Sequence, residues 1–505
     1  MSPPPPGASA ARVPAGLRGA LHVCGTTSDA GKSTLVTGIC RLLARSGVSV
    51  APFKAQNMAL NSYVTPDGAE IGRAQGAQAL AAGIEPEAAM NPVLLKPTGE
   101  RSSQVVVLGR PIGVRSAADY QASKRELAGI VADSLAELRR RFDVVVCEGA
   151  GSPAEINLLD GDIVNLRLAA DGGFGAVIVG DIDRGGVFAH LYGTVALLPD
   201  DLRATVRGFV VNRFRGDPAL LGDAMTTLEA RCGVPTLGVV PMLADLWLDA
   251  EDSVALDSAV PPAGPPLADG LDVAVVRLPR TSNFTDTDAL SLEPGVIVRY
   301  VRHAAALGRP DLVIIPGSKE TVRDLAWLRD AGFADAIAAS GADVLGICSG
   351  YQMLGSSIDD AVESGAGRVE GLGWLGGVAT RFEGDKHVRR RTGPAITGYQ
   401  IHHGRVDGGP GWVHLDDGDE GTVSDDGRIR GTTLHGLFEH DAFRAGFLVE
   451  LAERRAKRFV PAGVSFTAAR TARFDRLADA IEAHLDVERL CDIITEGAIA
   501  REPTC

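Results

Sequence analysis

The chain has 505 residues, enough for two or more domains that each bury a core of their own. Its net charge of −14 argues against a general nucleic-acid surface, and its seven Cys residues contain no C-x-x-C pair, which favours neither a zinc framework nor a disulfide scaffold. No stretch approaches the roughly 18 consecutive apolar residues of a membrane span. Free thiols fit a reducing compartment, so we expect a cytoplasmic protein that binds neither nucleic acid nor membrane.

The N-terminal residues 1–19 lack the apolar core of a signal peptide and are predicted to be a disordered tail. The first predicted strand, 21–24, leads into GTTSDAGKST and then a helix, which is a P-loop arrangement. Backbone N–H groups would cradle phosphates, Lys32 would reach the terminal phosphates, and Ser33 could ligate Mg²⁺. Gly25 lies one residue earlier than in the common G-x₄-G-K-[ST] spacing, and this form resembles the loop of dethiobiotin synthetase and its relatives. The expected ATP-binding residues of the loop are Thr26, Thr27, Ser28, Ala30, Gly31, Lys32, Ser33 and Thr34.

Polar residues follow the next predicted strands. Lys54 begins the run KAQNMALNS at the end of one strand, at the edge where α/β sheets bind ligands. Another buried strand ends in Glu148 and a Gly-rich loop, where an acid can either hold Mg²⁺ opposite the P-loop or cap the next turn. A later strand ends in Asn212, which resembles the base-reading Asn of the same ATPase family. Strands that alternate with helices predict a parallel doubly wound sheet over residues 20–259, followed by a Pro-rich linker at 260–270.

The second domain, predicted at 271–505 with an amphipathic C-terminal helix, contains the stretch DVLGICSGYQMLG. Gly346, Cys348 and Gly350 have the spacing of a nucleophile elbow, a strained turn that places the thiol at the N-terminus of a helix. The helix dipole there favours a thiolate. The alternative is a buried structural Cys. A strand that ends in Pro316-Gly317-Ser318 and a distant His435 between apolar and Gly residues make the nucleophile more plausible than the structural role.

These three features, in this order, resemble a class I glutamine amidotransferase domain. The resemblance implies that Cys348 is the nucleophile, that His435 is the general base, and that backbone N–H groups of Gly317 or Ser318 and of Ser349 form the oxyanion hole. Many members carry a Glu two residues after the His, but this chain has Leu437 there. We therefore expect the backbone, water or a more distant acid such as Glu439 to orient His435, and slow turnover of glutamine. His402 and His403 lack Cys or acid partners at ligand spacing and are interpreted as polar residues of a loop or strand.

Longer motifs resemble the cobyric acid synthase family from about residue 20 to about residue 490: KAQNMALNS, EIGRAQ, EGAGSPAEIN, GDIDRGG, NRFRGD and GYQIH. The resemblance implies two doubly wound α/β domains, an N-terminal parallel-sheet P-loop ATPase and a C-terminal class I glutamine amidotransferase-like domain. It implies ATP with Mg²⁺, and the small-molecule substrates ATP, glutamine and a corrinoid. The family amidates the b, d, e and g carboxylates of adenosylcobyrinic acid a,c-diamide. Alternatives are the related a,c-diamide synthase and a partition-type P-loop ATPase. The expected sites are Ser33 and Glu148 for the metal, Asn212 for ATP, and Lys54, Gln56, Asn57 and Arg73 for the substrate.

Overall fold

The structure is a computed structural model that describes residues 13–99, 101–243, 270–394 and 396–498. The helices and strands of the first half are β1 (Gly19–Gly25), α1 (Lys32–Arg45), β2 (Val50–Phe53), β3 (Gln56–Met58), β4 (Ser62–Val64), β5 (Glu70–Gly72), α2 (Arg73–Ala81), β6 (Val93–Pro97), β7 (Ser102–Val107), β8 (Arg110–Ser116), α3 (Ala117–Arg141), β9 (Val144–Glu148), α4 (Leu166–Gly172), β10 (Gly175–Asp181), α5 (Val187–Leu197), α6 (Asp200–Arg203), β11 (Val206–Phe214), α7 (Ala224–Cys232) and β12 (Thr236–Pro241).

The described part of the second half contains a further set of strands and helices, with 3₁₀ helices at Phe284–Leu292, Ala304–Ala306 and Leu437–Glu439. Its elements are β13 (Leu271–Val276), β14 (Val296–Val301), β15 (Leu312–Ile315), α8 (Thr321–Asp330), α9 (Phe333–Ser340), β16 (Asp343–Ile347), α10 (Ser349–Leu354), β17 (Ser357–Asp360), β18 (Gly367–Glu370), β19 (Ala379–Gly393), β20 (Ile396–Asp407), β21 (Thr422–Val423), β22 (Ile429–Thr432), α11 (Asp441–Arg454), α12 (Phe466–His484) and α13 (Val487–Glu496).

The first half is built on a six-stranded parallel sheet in the order β12-β11-β10-β1-β9-β2. Every residue of β9 and β10 is buried, because helices cover both faces of the sheet. β1 lies between β10 and β9 in this parallel sheet, so the loops that follow β1 and β9 are neighbours at the carboxyl edge. That edge is the place where a doubly wound sheet binds its ligand. The expected fold of this half is confirmed.

The two C-terminal helices pack mainly on the first sheet, although Phe466 at the start of α12 joins the core of the second. One face of the sheet is covered by α3, α4, α5 and α7. The other face is covered by α1 together with α12 and α13, whose Ile481, Ile493 and Ile494 are at most 2% exposed. Burial of each such side chain stabilises the fold by about 1.5–3 kcal/mol. The expectation that the C-terminal helix belongs with the second domain is therefore wrong, since its apolar face completes the core of the first.

The second half is built on a six-stranded sheet in the order β14-β13-β15-β16-β22-β21, parallel except for the β21–β22 pair. A four-stranded sheet in the order β18-β17-β19-β20 is formed by the residues between β16 and β21 in the chain. The mixed α/β class with a doubly wound second unit is confirmed. In the parallel sheet, Ile347 of β16 pairs with Thr432 of β22, so the residues that follow these strands emerge side by side.

The boundaries expected from the sequence differ from the structure at the N-terminus. Leu17 is only 4% exposed and Gly19 begins β1, so the ordered chain begins inside the segment expected to be a tail, while residues 1–12 lie outside the described ranges. The linker predicted at 260–270 also lies outside them, except for Gly270. Within the described ranges, none of the helices has both the length and the apolar character needed to cross a membrane.

Candidate active sites at the ends of two sheets

The loop between β1 and α1 closes around Lys32. Asp29 and Gly31 have positive φ angles of 52° and 96°, which turn the chain sharply before the helix begins. The Lys32 ammonium donates hydrogen bonds to the carbonyl oxygens of Thr27 (2.9 Å) and Gly151 (3.1 Å). The expected residues from Thr26 to Thr34 thus form one loop and the first turn of α1, at the ligand-binding edge of the sheet. A loop of this shape at a helix N-terminus suits phosphate groups.

Glu148, at the end of β9, faces this loop. Its carboxylate accepts hydrogen bonds from the Ser33 hydroxyl (2.8 Å), the Lys54 ammonium (2.9 Å) and the Gln78 amide (2.5 Å). Burial by itself would raise the pKa of Glu148, but the charge of Lys54 and these hydrogen bonds outweigh it and lower the pKa. The carboxylate is therefore held in its charged form beside the P-loop.

Asn212 contacts the P-loop directly. Its Nδ2 donates a hydrogen bond to the Ala30 carbonyl at 2.9 Å, and a Cβ atom at Gly31 would lie 2.0 Å from the same nitrogen. Only glycine fits at position 31, both for this reason and because of its positive φ. The structure therefore brings Asn212 to the expected ATP site, in contact with the loop itself.

The four residues expected to bind the substrate do not form one cluster. Lys54 pairs with Glu148, Gln56 accepts a hydrogen bond from the Tyr120 hydroxyl, and Asn57 donates to Gln75 at 2.9 Å. Arg73 lies elsewhere: its guanidinium donates to Glu439 of the second half at 2.7 Å and to the Tyr399 hydroxyl at 3.5 Å. The structure thus gives Arg73 a contact between the halves, because α2 begins where the two halves meet.

Cys348 follows β16 in a strained turn, with φ 53° and ψ −110°. The two flanking glycines allow the turn to pack tightly. A Cβ atom at Gly350 would lie 1.9 Å from the Ile315 carbonyl oxygen, and one at Gly346 would lie 2.6 Å from the Tyr351 nitrogen. A positive φ at a residue with a side chain is uncommon and marks stored strain. The geometry is that of the predicted nucleophile elbow.

His435 lies beside Cys348, because their strands are neighbours in the sheet, and the Cys348 side chain is close enough to raise the pKa of the imidazole. His435 Nδ1 donates to Asp286 Oδ2 at 2.7 Å, and the Gly436 N–H donates to Asp286 Oδ1 at 2.9 Å. The His435 side chain is fully buried, and the Tyr399 ring stacks on it at 5.2 Å between centroids. Cys348, His435 and Asp286 therefore form a nucleophile–base–acid arrangement.

Asp286 changes the protonation of His435. Burial would lower the pKa of the imidazole, but the negative charges of Asp286 and of the Cys348 side chain outweigh it and raise the pKa to about 10. A protonated imidazole beside a sulfur atom is the partner that a thiolate needs, and it can also give a proton to a leaving group.

The loop expected to carry the oxyanion hole reaches the same place. A Cβ atom at Gly317 would lie 3.2 Å from His435 Cε1. The Ser349 hydroxyl donates to the Ser318 carbonyl at 2.8 Å, which ties the loop after β15 to the start of α10. Ser318 and Ser349 also line the pocket that contains Cys348. The structure therefore brings together all the residues expected in this site.

Residues of the first half complete the surroundings of the second site. The Ser62 N–H donates to Asn283 Oδ1 at 2.8 Å, and Asn283 Nδ2 is 3.2 Å from His435 Nε2. Lys96 lines the same pocket as Cys348 and forms an ion pair at 2.5 Å with the buried Glu70, which also pairs with Lys386 of β19. Burial would raise the pKa of Glu70, but the two ammonium groups outweigh it and lower the pKa. Buried charged side chains from both halves therefore pair with one another next to the nucleophile.

Asp286 was not among the residues expected in this site. The expectation was that the backbone, water or a more distant acid such as Glu439 orients His435; a distant acid does so, but it is Asp286, and Glu439 pairs with Arg73 and Arg470. The signal was present: Asp286 belongs to a polar segment that follows β13, and β13 lies in the same parallel sheet as β16 and β22. Acids after strands of one parallel sheet gather at the same edge.

Comparisons with known proteins match both halves of the chain. Residues 21–254 match the family model described as "CobQ/CobB/MinD/ParA nucleotide binding domain", and residues 272–443 match "CobB/CobQ-like glutamine amidotransferase domain". A cobyric acid synthase of Rhodococcus jostii is 53% identical over 95% of this chain and 96% of its own length. One of Streptomyces coelicolor is 53% identical over 95% of this chain and 97% of its own length. One of Frankia casuarinae is 51% identical over 96% and 99%.

Proposed function

Because the chain belongs to the cobyric acid synthase family, we propose that it amidates the b, d, e and g side-chain carboxylates of adenosylcobyrinic acid a,c-diamide to give adenosylcobyric acid. At the level of reaction class, the chain is an ATP-dependent, glutamine-hydrolysing amide ligase of cobalamin biosynthesis. The observation that carries the finer proposal is the 53% identity to cobyric acid synthases over 95% of the chain. The presence of both sites in one structure, a P-loop with Glu148 and a Cys348–His435–Asp286 arrangement, supports the reaction class.

In the first site, a substrate carboxylate oxygen would attack the terminal phosphorus of ATP, which gives an acyl phosphate and releases ADP. Ammonia would then attack the acyl carbon and displace inorganic phosphate, which leaves the amide. The loop from Thr26 to Thr34 would hold the phosphates, with Lys32 at the terminal ones. The Ser33 hydroxyl and the Glu148 carboxylate lie 2.8 Å apart and supply the oxygen donors that suit Mg²⁺. Within the described ranges no group of three or more His, Cys, Asp or Glu residues could hold a metal, which fits an ion bound mainly by phosphates and water. Such an ion would offset the phosphate charge.

In the second site, the Cys348 sulfur would attack the side-chain carbonyl carbon of glutamine. The carbon–nitrogen bond breaks as protonated His435 gives its proton to the nitrogen, and ammonia leaves while a thioester remains. Water then hydrolyses the thioester to glutamate. The N–H groups of Gly317 or Ser318 and of Ser349 would stabilise the negative oxygen. Asp286 holds the imidazole in the orientation that exposes Nε2 to the sulfur.

The substrate carboxylate would lie near Glu148, where Lys54 provides a buried positive charge and Gln56 and Asn57 follow in the chain. Arg73 lies apart from Lys54 and pairs with Glu439 of the second half, so it would contact the corrinoid where the two halves meet. As a functional unit, the ATPase would comprise the residues expected at 20–259 together with α12 and α13, which supply part of its core.

The test is a single assay of the purified chain with cobyrinic acid a,c-diamide in its adenosylated form, ATP, Mg²⁺ and glutamine, followed by mass spectrometry. Four successive steps, each lowering the mass by about one unit as OH is replaced by NH₂, support the proposal. If the chain leaves this compound unchanged but adds two amides to cobyrinic acid itself, it is an a,c-diamide synthase. ATP hydrolysis without any glutamate release would point to a P-loop ATPase of the partition type.

A further inference from the structure

Two adjacent histidines on β20, His402 and His403, have no role in the chemistry described above. Both are less than a tenth exposed, and both line the pocket that contains Cys348. They do not belong to a metal-binding group in the part of the chain that the structure describes. Burying a polar ring beside a nucleophile is costly unless the ring nitrogens find partners, so their hydrogen bonds show what they can do.

The hydrogen bonds of His402 leave one nitrogen without a partner. Its Nδ1 is 2.6 Å from the Gly404 carbonyl oxygen, which can only accept, so Nδ1 carries the proton. In a neutral imidazole the other nitrogen, Nε2, is then an acceptor. This Nε2 is buried and, among the residues that the structure describes, no donor reaches it. A residue that lines the pocket of the nucleophile therefore carries a buried hydrogen-bond acceptor without a donor among the described residues.

The position of His402 is close to the reacting atoms. The preceding residue, Ile401, has its carbonyl oxygen 3.9 Å from the Cys348 sulfur. Burial lowers the pKa of His402 to about 3, although the hydrogen bond to Gly404 acts to raise it. The neighbouring groups His387, His435 and Arg405 also act to lower it. The ring is therefore neutral at any working pH. Burial also lowers the pKa of His403, but the charges that act on it are those of Glu363, Lys386 and Lys319.

We propose that His402 Nε2 accepts a hydrogen bond from an N–H of the glutamine carboxamide, and keeps that bond as the nitrogen leaves as ammonia. This assignment rests on the proposed glutaminase function. His402 takes up no proton: the carbon–sulfur bond forms, the carbon–nitrogen bond breaks, and the added proton comes from His435. The bond fixes the direction of the nitrogen lone pair, so that it faces the protonated imidazole as the carbon–nitrogen bond lengthens.

The test compares two substrates that differ only in the leaving atom, glutamine and the γ-methyl ester of glutamate, whose leaving oxygen carries no N–H. The variants are His402→Leu, His402→Gln, whose side-chain oxygen can also accept, and His403→Leu as the matched control. We expect His402→Leu to lower kcat/KM for glutamine about tenfold, the effect of one hydrogen bond, and to change ester hydrolysis much less. His402→Gln should recover part of the loss, and His403→Leu should affect both substrates by the same factor.

An equal loss of amide and ester hydrolysis in His402→Leu would mean that the ring only packs, and an unchanged rate with glutamine would also overturn the assignment. Synthesis from ammonium salts checks that each variant is folded. A wild-type chain that releases no glutamate in a Cys348-dependent manner would instead defeat the proposed glutaminase function, which is a separate outcome.

Discussion

The Asp286 carboxylate lies 2.7 Å from His435 Nδ1, although 149 residues separate the two in the chain. This contact supplies the acid that is missing two positions after His435, where the chain has Leu437. The segment that carries Asp286 is also held from the other half, since Asn283 accepts a hydrogen bond from the Ser62 N–H. The expectation of slow glutamine turnover was argued from an unassisted His435, and that premise no longer holds.

Replacing Asp286 with Asn should greatly lower the rate of glutamine hydrolysis and leave amide synthesis from ammonium salts unchanged. The neutral amide cannot stabilise the imidazolium and can favour the wrong tautomer, so we expect kcat for glutamine hydrolysis to fall by about two to four orders of magnitude. The measurement is glutamate release beside amide synthesis from ammonium salts. The matched control is Glu439→Gln, which disturbs pairs with Arg73 and Arg470 but not His435. Equal losses in the two variants would remove Asp286 from its assigned role.

Replacing Cys348 with Ala should abolish glutamine-dependent synthesis and leave ammonium-dependent synthesis intact, because only the supply of ammonia is lost. Cys232→Ala is the control, since Cys232 lies at the end of α7 on the first sheet. Both activities are followed by mass spectrometry of the corrinoid. Parallel loss of both activities in a folded Cys348→Ala protein would contradict the assignment of separate sites.

Substitutions in the P-loop should give a different pattern of activity from Cys348→Ala. Lys32→Ala should abolish synthesis from either nitrogen source, because both need the activated carboxylate, while glutamate release persists. Glu148→Gln should behave alike, but it leaves the buried Lys54 charge without its partner, so its thermal unfolding midpoint must be compared with that of Lys32→Ala. Normal rates with ammonia in Glu148→Gln would exclude Glu148 from the site.

Local patterns predicted the two sheets and the positions of their active edges. The P-loop, the elbow at Cys348 and the His435 strand are each continuous in sequence, and the chemistry of each depends on residues a few positions apart. Parallel strands then carry these local units to a common edge, which is why Cys348 and His435 meet as expected.

Long-range pairing explains the errors. Asp286 looked like one of several acids in a polar segment, and only the order of β13, β16 and β22 in one sheet brings it to His435. The amphipathic pattern of α12 predicts that one face of the helix is buried, but it does not predict what covers that face. In the structure α12 packs on α1, more than 400 residues earlier in the chain, and Arg41 of α1 donates a hydrogen bond to Asp475 of α12. The substrate role of Arg73, assigned from its motif, stays a prediction, and what the sequence did not show is that its partner Glu439 lies in the other half.

The packing of α12 on α1 predicts an unusual effect of a glycine substitution. Gly38 lies within α1, and a Cβ atom there would be 2.8 Å from Ile481 Cγ1. Gly129 lies within α3 with nothing within 4 Å. Gly129→Ala should raise stability by about 0.5–1 kcal/mol through helix propensity. Gly38→Ala should instead destabilise by about 1–3 kcal/mol through overpacking.

The measurement is the thermal midpoint of each variant. In an Ile481→Ala background, which lacks the Cγ1 atom that the new methyl group would meet, Gly38→Ala should cost less stability than it does in the wild type. If Gly38→Ala stabilises as much as Gly129→Ala does, the C-terminal helices do not pack on α1 in solution.

The pair of Asp286 and His435 also predicts a pH dependence. The pKa of His435 is raised from 6.5 to about 10, with burial opposing and the charges of Asp286 and Cys348 prevailing. A raised pKa in the folded state contributes stability that is complete below the unfolded value of 6.5 and is lost as the pH rises towards 10. In Asp286→Asn the pKa should fall, so the variant's thermal midpoint should lie furthest below that of the wild type at pH 6 and approach it by pH 10.

Glutamine hydrolysis, which needs the protonated ring, should decline at a lower pH in Asp286→Asn than in the wild type or in Glu439→Gln. Coincident alkaline limbs in all three proteins would show that Asp286 does not set the protonation of His435.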